Sequence, residues 1–396
     1  MSWVLQRIDQ ACEVLRDAID IDRLAEFDEV MLYSVDGLAA TGGPALQPGH
    51  EIGSSKQLVR GGEVLVSRLN PRRGHIALTE EHEVPAVCSG EFAVLRPREG
   101  DARFFAYFFQ AAHIQDGLEA QVRSATKSHG RVDFSAITKL TAPLPSASEQ
   151  HRMADFLDQE TQRIDTAMAM NSQMVKLLAE RVRASADAAL SKAGGSVPLK
   201  RLLRVPPEYG LSEPADHDDP AWPRYVRITD IAGQTALRGD TFRSLPPDIA
   251  RSAMLEDGDI LLARSGATAG KAFQYQAAHG PACFAGYLIR IRPDLHKVMP
   301  EWLMLFLESG HYWDQIRQTA IQATISNVSA ERYSSLRVPL PDKATQARLV
   351  EAYWKQKMRA LSTAEALTQQ NALLTERRRA LITAAVAGQL DVGEAA

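Results

Sequence analysis

The chain has 396 residues, and its 45 basic and 49 acidic side chains give a formal net charge of −4. At about 100–200 residues per domain, this length predicts two or three domains. The 45% hydrophobic and 24% charged residues exclude a disordered or collagen-like protein. Because the net charge is near zero, we expect any polyanionic partner to bind a local basic patch.

The apolar runs and the cysteines indicate the cellular setting. The longest apolar runs, at 104–109 and 302–307, are far shorter than the roughly 18 residues that span a bilayer. The first ten residues contain no apolar segment of secretory-signal length. Cys12, Cys88 and Cys283 lack the spacing of a zinc site or a disulfide framework. We therefore expect a soluble, intracellular protein without a membrane partner.

The first half of the chain predicts a series of strands and helices. Runs typical of β-strands lie at 63–69 and 92–97. An aromatic-rich segment at about 101–122 has apolar residues three and four apart, which predicts helices. A polar loop at 124–133 then precedes a strand that ends in the tripeptide PLP at 143–145.

A long helix is predicted directly after this tripeptide. Ser146 and Glu149 have the spacing of a capping box, which begins a helix. The following residues recur at alternating intervals of three and four, a spacing typical of a coiled coil: Ala154, Leu157, Thr161, Ile164, Met168, Asn171, Val175, Leu178 and Val182. Forty helical residues extend about 60 Å, which is too long to bury in one globule. A hinge is expected at 194–196, where Gly-Gly-Ser follows.

The same order of elements recurs later in the chain at a constant offset of 196 residues. Strand-like runs lie at 259–265 and 288–293, a helical segment at about 299–320, a polar loop at 322–330 and PLP at 339–341. The offset aligns Gly37 with Gly233, Gly62 with Gly258, Arg68 with Arg264, Gly74 with Gly270, Val132 with Val328 and Gln150 with Gln346. These matches indicate a duplication and a pseudo-twofold protein.

A second long helix is predicted at about 342–387. Its candidate seam residues are Leu349, Tyr353, Leu361, Leu367, Leu374 and Leu381. We expect the two duplicated helices to pair with each other, because neither seam has another obvious partner. The alternative is that each helix folds back on its own domain.

Strings that resemble catalytic motifs are incomplete. SGATAGK at 265–271 has three residues between its glycines where a phosphate-binding loop has four, and Ala272 stands where that loop has Ser or Thr. DPAW at 219–222 lacks the second proline of the Asp/Asn-Pro-Pro-aromatic motif of amino-methyltransferases. HExxH, GxSxG and zinc-deaminase motifs do not occur. We therefore expect neither a catalytic site nor a metal site.

Basic, hydroxyl and amide side chains lie at the predicted strand ends and loops of both copies. Arg and Lys suit phosphates and guanine edges, and Asn and Gln suit adenine edges. The candidate DNA-binding residues are Arg68, Arg72, Arg73, His75, Lys127, His129 and Arg131 in copy one, and Arg227, Arg264, Ser265, Thr268, Lys271, Gln322, Thr324 and Asn327 in copy two. Each could equally be solvated surface. The copies differ most in these loops, as expected of two readers of different short sequences.

Three strings carry a resemblance to a known family. They are DGDILLARSGATAGK (257–271), ISNVSAERYSSLRVPLP (325–341) and PLPSASEQHRMADFLDQETQRID (143–165). In order and content they resemble the specificity (S) subunit of type I DNA restriction–modification systems over nearly the whole chain. The second copy departs from the family at Thr345-Gln346, where a Glu-Gln pair is usual. The first copy has LNPRRGH where the family often has a Ser-Gly-x-x-Gly-Lys-like string.

This resemblance implies an α/β (α+β) fold with two duplicated target-recognition domains separated by a long antiparallel two-helix coiled coil. The expected segments are 1–145 (target-recognition domain 1), 146–193 (central conserved-region helix), 194–341 (target-recognition domain 2) and 342–396 (C-terminal conserved-region helix). Each domain is expected to read one half of a split, asymmetric double-stranded DNA target.

The resemblance also implies partners for the chain. Family members bind two methyltransferase (M) subunits, which hold S-adenosylmethionine, and two restriction and translocation (R) subunits, which use ATP and Mg²⁺. The chain itself is then expected to be non-catalytic, without a cofactor, and to act in phage defence in a prokaryotic cytoplasm. Two alternatives stay open: a coiled-coil adaptor that binds proteins, and the specificity subunit of a related system that fuses nuclease and methyltransferase.

Overall fold

A computed structural model describes residues 3–122, 130–320 and 328–390, which form two compact units. Unit 1 comprises Met1–Asn171 and Gln369–Ala396, and unit 2 comprises Ser172–Thr368. Both long helices therefore contribute one half to each unit. The polypeptide of unit 2 is continuous, whereas unit 1 is assembled from the two ends of the chain.

Unit 1 contains two main sheets and several short helices. Its strands are β1 (Val4–Arg7), β2 (Cys12–Leu15), β3 (Ala18–Ile19), β4 (Val30–Tyr33), β5 (Ala45–Gln47), β6 (Lys56–Val59), β7 (Val64–Ser67), β8 (Ile76–Leu78), β9 (Ala86–Ser89), β10 (Phe92–Pro97) and β11 (Thr141–Leu144). Its helices are α1 (Ile8–Ala11), α2 (Ile21–Ala25), α3 (Val35–Thr41), α4 (Ala102–Gln110), α5 (Ala112–Glu119), α6 (Phe134–Thr138) and the first half of α7 (Ala147–Leu190).

The strands of unit 1 form an antiparallel sheet in the order β2-β10-β7-β8 and a five-stranded sheet in the order β3-β6-β9-β4-β5. In the second sheet β4 and β9 run parallel. β1 pairs with β11. The core on the β7 and β10 side is filled by the aromatic side chains of α4, which explains why the run at 104–109 is apolar on all sides. The same core includes Ile382, Ala385 and Val386 near the end of the second long helix.

Unit 2 repeats this plan with fewer strands. Its strands are β12 (Ser196–Pro198), β13 (Leu203–Tyr209), β14 (Arg224–Val226), β15 (Ile260–Ala263), β16 (Ala272–Gln274), β17 (Ala282–Phe284), β18 (Leu288–Pro293) and β19 (Arg337–Pro339). Its helices are α8 (Pro247–Ala250), α9 (Pro300–Glu308), α10 (Gly310–Ala320), α11 (Ala330–Ser335) and the first half of α12 (Lys343–Val386). The main sheet has the order β13-β18-β15-β16, and β14 pairs with β17 in parallel.

The duplication predicted from the sequence is visible in the element bounds. The offset that aligns Arg68 with Arg264 also aligns the bounds of three strands in each unit: β7 with β15, β8 with β16 and β10 with β18. It aligns both ends of α7 with both ends of α12 as well. The counterparts of α4 and α5 are α9 and α10. Each of these two helices begins two residues later than the offset predicts. The offset is therefore constant for these three strands, for the long helices and for the start of α11 relative to α6, but not for α9 and α10. The extra positions fall in the turn before α9, and a turn tolerates such a change more easily than a sheet does.

A buried carboxylate and an arginine form an ion pair at the same place in both units. In unit 1, Glu63 pairs with Arg96 of β10. In unit 2, Asp259 pairs with Arg292 of β18, with Nη2 2.7 Å from Oδ2. We call each pair a carboxylate–arginine clamp. The duplication aligns Glu63 with Asp259 and Arg96 with Arg292, so the two clamps are equivalent.

Each clamp also closes the turn that precedes the central strand. The carboxylate of Glu63 accepts the backbone N–H of Arg60 at 3.1 Å, and that of Asp259 accepts the N–H of Glu256 at 2.8 Å. A single carboxylate thus fixes the turn before β7 or β15 and ties it to the neighbouring strand. Because the turn is fixed, the direction of β7 or β15 is fixed too, and with it the position of the residue that follows the strand.

The predicted start of α7 is confirmed by its hydrogen bonds. The N–H of Ser146 donates to Oε2 of Glu149 at 2.9 Å, and the N–H of Glu149 donates to Oγ of Ser146 at 3.4 Å. The Ser146 hydroxyl and N–H that donate to this carboxylate hold the pKa of Glu149 below its usual value.

The two long helices pack together, as predicted. Within unit 1 they run antiparallel: Asn171 donates from Nδ2 to Oδ1 of Asn371 at 2.9 Å, and Arg378 lies 3.3 Å from Asp165. Within unit 2, Leu349 and Tyr353 of α12 share a core with Ala186 and Leu190 of α7. A polar layer of paired asparagines favours one alignment of a helix pair over its neighbours.

The prediction that Leu361 of α12 lies in the seam is wrong. Leu361 is 51% exposed, whereas the preceding Ala360 is buried. The buried positions of α12 here are Tyr353, Lys357 and Ala360, so the seam follows a different spacing from the leucines. The prediction followed the apolar residues of the sequence, and Lys357 is not one of them. Lys357 is accommodated by an ion pair with Glu308 and by the ring of Trp354, 4.5 Å away.

Replacing Arg292 by Met should leave Asp259 buried without a counter-charge. We expect the free energy of unfolding of the full chain to fall by about 3 kcal/mol, measured by urea denaturation followed by circular dichroism. The matched variant Arg96→Met should lower the free energy of unfolding by less, because the Arg96 side chain is 42% exposed and that of Arg292 is 12% exposed. Equal losses for the two variants would contradict this ranking.

Candidate nucleic-acid interface

An arginine follows the central strand of each unit directly: Arg68 follows β7 and Arg264 follows β15. Both are predicted DNA-binding residues. Their backbone hydrogen bonds are equivalent: Arg68 N–H to Glu91 C=O (2.9 Å) and Val132 N–H to Arg68 C=O (3.0 Å), and Arg264 N–H to Tyr287 C=O (2.9 Å) and Val328 N–H to Arg264 C=O (2.8 Å). The duplication thus extends to single hydrogen bonds at the candidate site.

In unit 1 the strand-end arginine belongs to a local ion-pair cluster. The Arg68 guanidinium lies 4.7 Å from the ring centroid of Phe134, and its Nε is 3.8 Å from Glu91. Arg131 donates two hydrogen bonds to the same carboxylate, at 3.0 and 3.2 Å. Glu91 therefore holds two of the predicted cations and neutralises much of their charge.

A turn next to this cluster presents the predicted residues Arg72 and Arg73. Asn70 adopts a left-handed conformation (φ 49°), donates its N–H to the carbonyl of Gly130 at 2.7 Å and accepts the N–H of Gly130 through Oδ1 at 3.0 Å. The two arginines that follow are exposed, and neither makes an ion pair within the part of the chain that the structure describes. They are available to a polyanion.

His75 closes the same turn and is half-buried. Burial, reinforced by the positive charge of Arg73, lowers the pKa of His75 below its usual value, although Asp36 opposes this shift. The lowered pKa favours the neutral imidazole, which can accept or donate a hydrogen bond.

In unit 2 three predicted residues meet in one open cleft. Arg227, Arg264 and Ser265 line a cleft of about 1030 Å³ together with Tyr225, Tyr287 and the segment 211–215. The Arg264 guanidinium lies 5.1 Å from the ring centroid of Tyr209, whose hydroxyl accepts the N–H of Ala330 at 3.1 Å. The strand-end arginine of unit 2 is thus stacked on an aromatic ring, as it is in unit 1.

Arg227 holds a buried carboxylate within unit 2. It donates to both oxygens of Asp230, at 3.0 and 2.8 Å, and to the carbonyl of Thr241 at 2.8 Å. Burial disfavours the charged form of Asp230, but the hydrogen bonds from the side chain and backbone of Arg227 and its positive charge outweigh it and hold the pKa of Asp230 below its usual value. These contacts give Arg227 a structural role at the edge of the cleft.

Thr268 and Lys271 lie on the turn that corresponds to the Asn70 turn of unit 1. Gly266, the counterpart of Asn70 in the duplication, is also left-handed (φ 75°). Both predicted residues line a second cavity of about 440 Å³, together with Arg183 of α7 and Trp313 of α10. Lys271 is exposed, so two cations border this cavity.

Five predicted residues lie outside the described residues: Lys127, His129, Gln322, Thr324 and Asn327. The residues that follow them in the chain are anchored at the site. Gly130 is hydrogen-bonded to Asn70, and Val328 to Arg264. The described residues that follow these segments are therefore bonded to the turn after the strand in unit 1 and to the strand-end arginine in unit 2.

Sequence reasoning missed Glu91, Tyr209 and Tyr287. An acidic residue and single tyrosines are not part of a search for basic and amide side chains. A signal was nevertheless present, because Glu91 and Tyr287 occupy the same position of the duplication and differ in charge and size. The residues that differ most between equivalent positions can be read directly from the offset.

Metal-ligating side chains and cysteine thiols could carry other chemistry. Among residues 3–122, 130–320 and 328–390, no group of three or more His, Cys, Asp or Glu side chains is arranged to hold a metal ion. The three cysteines are free and buried, and burial raises the pKa of each thiol to about 12. In this described part of the chain, no helix combines the length and apolarity needed to cross a membrane.

Comparisons with known proteins agree with this arrangement. The family model described as "Type I restriction modification DNA specificity domain" matches residues 50–173. The chain is 23% identical over 353 residues to the type I restriction enzyme StySPI specificity subunit of Salmonella potsdam, a match that covers 81% of this chain and 75% of that protein.

Solved structures share the fold. A chain from a structure entitled "Structural basis underlying complex assembly and conformational transition of the type I R-M system" superposes with a TM-score of 0.79 at 17% identity, covering 98% of both chains. The HsdS subunit from Thermoanaerobacter tengcongensis superposes with a TM-score of 0.54 at 17% identity, covering 98% of this chain and 97% of that one.

Residues 50–173 therefore match a type I restriction–modification DNA specificity domain, and the chain shares the fold of the two superposed structures. The resemblance of the sequence motifs to the type I restriction–modification specificity (S) subunit family is confirmed by the family model over residues 50–173 and by the StySPI relative.

The structural role of Arg227 can be tested by Arg227→Met. Loss of the cation leaves Asp230 buried and unpaired, so we expect the free energy of unfolding to fall by about 3 kcal/mol at pH 7. Since the pKa of Asp230 is lowered in the folded state, its contribution is present above the unfolded-state pKa of about 3.9 and is lost as the pH falls below it. The gap between wild type and variant should therefore narrow below about pH 4.

The control for this experiment is Arg251→Met, which removes an exposed arginine from the same unit. It should change the unfolding free energy by less than about 0.5 kcal/mol. Unfolding curves of Arg227→Met that match those of this control at pH 7 would show that Arg227 is not structural.

Proposed function

We propose that this chain is the DNA-specificity subunit of a type I restriction–modification complex, and that each unit reads one half of an asymmetric, split double-stranded target. The observation that carries the proposal is the pair of equivalent strand ends. Arg68 and Arg264 have the same backbone hydrogen bonds, while the side chains around them differ. A common scaffold that presents different side chains is what two readers of different half-sites require.

The two sites offer different chemistry to DNA. The exposed Arg72 and Arg73 of unit 1 suit phosphates or guanine edges. In unit 2, Arg264 and Ser265 lie in a cleft, where a hydroxyl and a guanidinium can contact base edges or the backbone. Phosphate contacts would make the affinity fall as the salt concentration rises, by about one unit of log–log slope per contact.

The chain is proposed to act without catalytic chemistry of its own. Its curated relative is named as the specificity subunit of a type I restriction enzyme, and one matching structure concerns assembly of a type I R-M system. By that analogy, two M subunits with S-adenosylmethionine would methylate adenine, and two R subunits with ATP and Mg²⁺ would translocate and cleave. The comparisons give no support to the adaptor or fused-system alternatives.

Exchange of one recognition domain tests the proposal directly. Residues 1–145 are replaced by the matching domain of a relative, and the chain is co-expressed with its M subunit in cells whose methylated motifs are read by long-read sequencing. We expect a bipartite methyladenine motif for the wild type and a change in only one half of it for the exchange.

The donor domain should keep the contacts that unit 1 makes with α12. These include the core around Ile382 and Val386 and the hydrogen bond from the Ala112 N–H to Thr383 at 3.0 Å. The chain without its M subunit serves as the control and should methylate nothing. A change in both half-sites would refute independent reading by the two units, and the absence of any methylated motif would refute the function.

The long helices are proposed to set the spacing between the half-sites. Seven residues inserted after Asn171 and seven before Asn371 add one heptad to each helix at the layer where the two asparagines are paired. Each heptad adds about 10.5 Å, close to three base pairs of B-DNA. We expect the methylated motif either to gain three base pairs of spacer or to be lost, because three base pairs rotate the DNA by about a third of a turn.

A single insertion in α7 alone is the control. It shifts one helix against the other, so it should abolish methylation whatever the spacer. Unchanged methylation of the original spacer by the double insertion would show that the helices do not set the distance.

A further inference from the structure

We propose that Tyr287 is a specificity-determining residue of unit 2, presented by a rigid wall of its cleft to a base of the second half-site. The equivalent position of unit 1, Glu91, is closed to DNA by its own ion pairs. This inference rests on the proposed function and adds to it that the two units read DNA with different parts of the same scaffold.

Tyr287 lies on the turn between β17 and β18 and is 68% exposed. The backbone beneath it is fixed on both sides. The carbonyl of Tyr287 accepts the N–H of Arg264 at 2.9 Å, and the N–H of Gly286 donates to the carbonyl of Leu211 at 2.7 Å. The backbone that carries this exposed ring is therefore fixed before a partner binds, which lowers the entropy cost of a contact.

The wall of the cleft consists of the segment 210–212 packed against the turn 284–287, and two glycines allow this close packing. A Cβ on Gly210 would lie 2.3 Å from the carbonyl oxygen of Phe284 and 2.4 Å from that of Ala285. A Cβ on Gly286 would lie 2.9 Å from Oγ of Ser212. At residue 210 only glycine allows this approach, because the atoms that its Cβ would meet belong to the backbone of the turn, whereas Gly286 faces the side-chain hydroxyl of Ser212. The wall is therefore stiff.

Unit 1 does not repeat this wall. Gly90 is the counterpart of Gly286, and a Cβ there would meet nothing within 4 Å. Glu91 is the counterpart of Tyr287, and its carboxylate accepts two hydrogen bonds from Arg131 while lying 3.8 Å from Arg68. To contact DNA, Glu91 would have to leave two cations. In unit 1 the exposed Arg72 and Arg73 remain as the available contacts.

The chemistry of the cleft suits base edges. A tyrosine ring can pack on a thymine methyl group or on an unstacked base, and its hydroxyl can donate or accept a hydrogen bond. Ser265 adds a second hydroxyl and Arg264 a guanidinium in the same cleft. Glu213 also lines it, and its carboxylate repels phosphates while it can accept from cytosine N4. The cleft therefore favours bases over the DNA backbone.

The test uses the chain assembled with its M subunit and compares wild type, Tyr287→Ala and Leu295→Ala. Leu295 is an exposed residue of the same unit outside the cleft. Two quantities are measured: the methylated motif in cells, and the affinity for duplexes that carry every single-base change in the second half-site, at two salt concentrations.

We expect Tyr287→Ala to make at least one position of the second half-site degenerate and to weaken binding of the preferred duplex about tenfold. The first half-site and the salt dependence should not change, because no phosphate contact is lost. Leu295→Ala should behave as the wild type. If Tyr287→Ala is unstable in thermal unfolding, Tyr287→Gln gives the same comparison with a polar side chain.

Failures of the inference and of the proposed function are distinguishable. The inference alone is overturned if the wild-type complex has a bipartite motif, the Tyr287 variants keep that motif, and their affinity for the preferred duplex is within twofold of the wild-type affinity. A wild-type complex without any sequence-specific binding or methylation overturns the proposed function, and the inference with it.

Discussion

The carboxylate–arginine clamp is the interaction on which each unit depends. A buried charge is tolerated only when it is paired and hydrogen-bonded, and both Glu63 and Asp259 meet that condition through one arginine and one backbone N–H. The clamp fixes the turn before the central strand, the strand leads to Arg68 or Arg264, and that arginine anchors the segment that returns from the variable loop. The candidate site is thus positioned by an ion pair at the opposite end of the strand.

This arrangement separates the part of each unit that must stay constant from the part that is free to differ. The hydrogen bonds at the strand end use backbone atoms, so they do not restrict which side chains surround them. Asn70 and Gly266 occupy the same left-handed position, although one has an amide side chain and the other has none. Glu91 and Tyr287 share another position, where the difference in side chain alters what the unit can contact while the backbone hydrogen bond to the strand-end arginine is the same.

The sequence allowed the main strands, the start of α7 and the pairing of the long helices to be predicted, because each depends on local spacing or on a repeated pattern. It did not identify the buried Lys357 of the seam, since that lysine is stabilised by Glu308 and Trp354, which become neighbours only on folding. For the same reason the engagement of Arg227 with Asp230 and of Arg131 with Glu91 could not be foreseen. A basic residue in a loop looks the same in a sequence whether it is paired or free.

The discontinuity of unit 1 has a consequence for its synthesis. Ile382, Ala385 and Val386 belong to the core of unit 1, although the whole of unit 2 (Ser172–Thr368) separates them from the segment Met1–Asn171. Domains often fold in the order in which they leave the ribosome, but unit 1 cannot complete its core until the last turns of α12 emerge. Unit 2, which is continuous, is able to fold while unit 1 is still open. The apolar side chains of unit 1 that share a core with these three residues stay incompletely covered while unit 2 is synthesised, so the nascent chain exposes them to proteases and chaperones until the end of α12 is released.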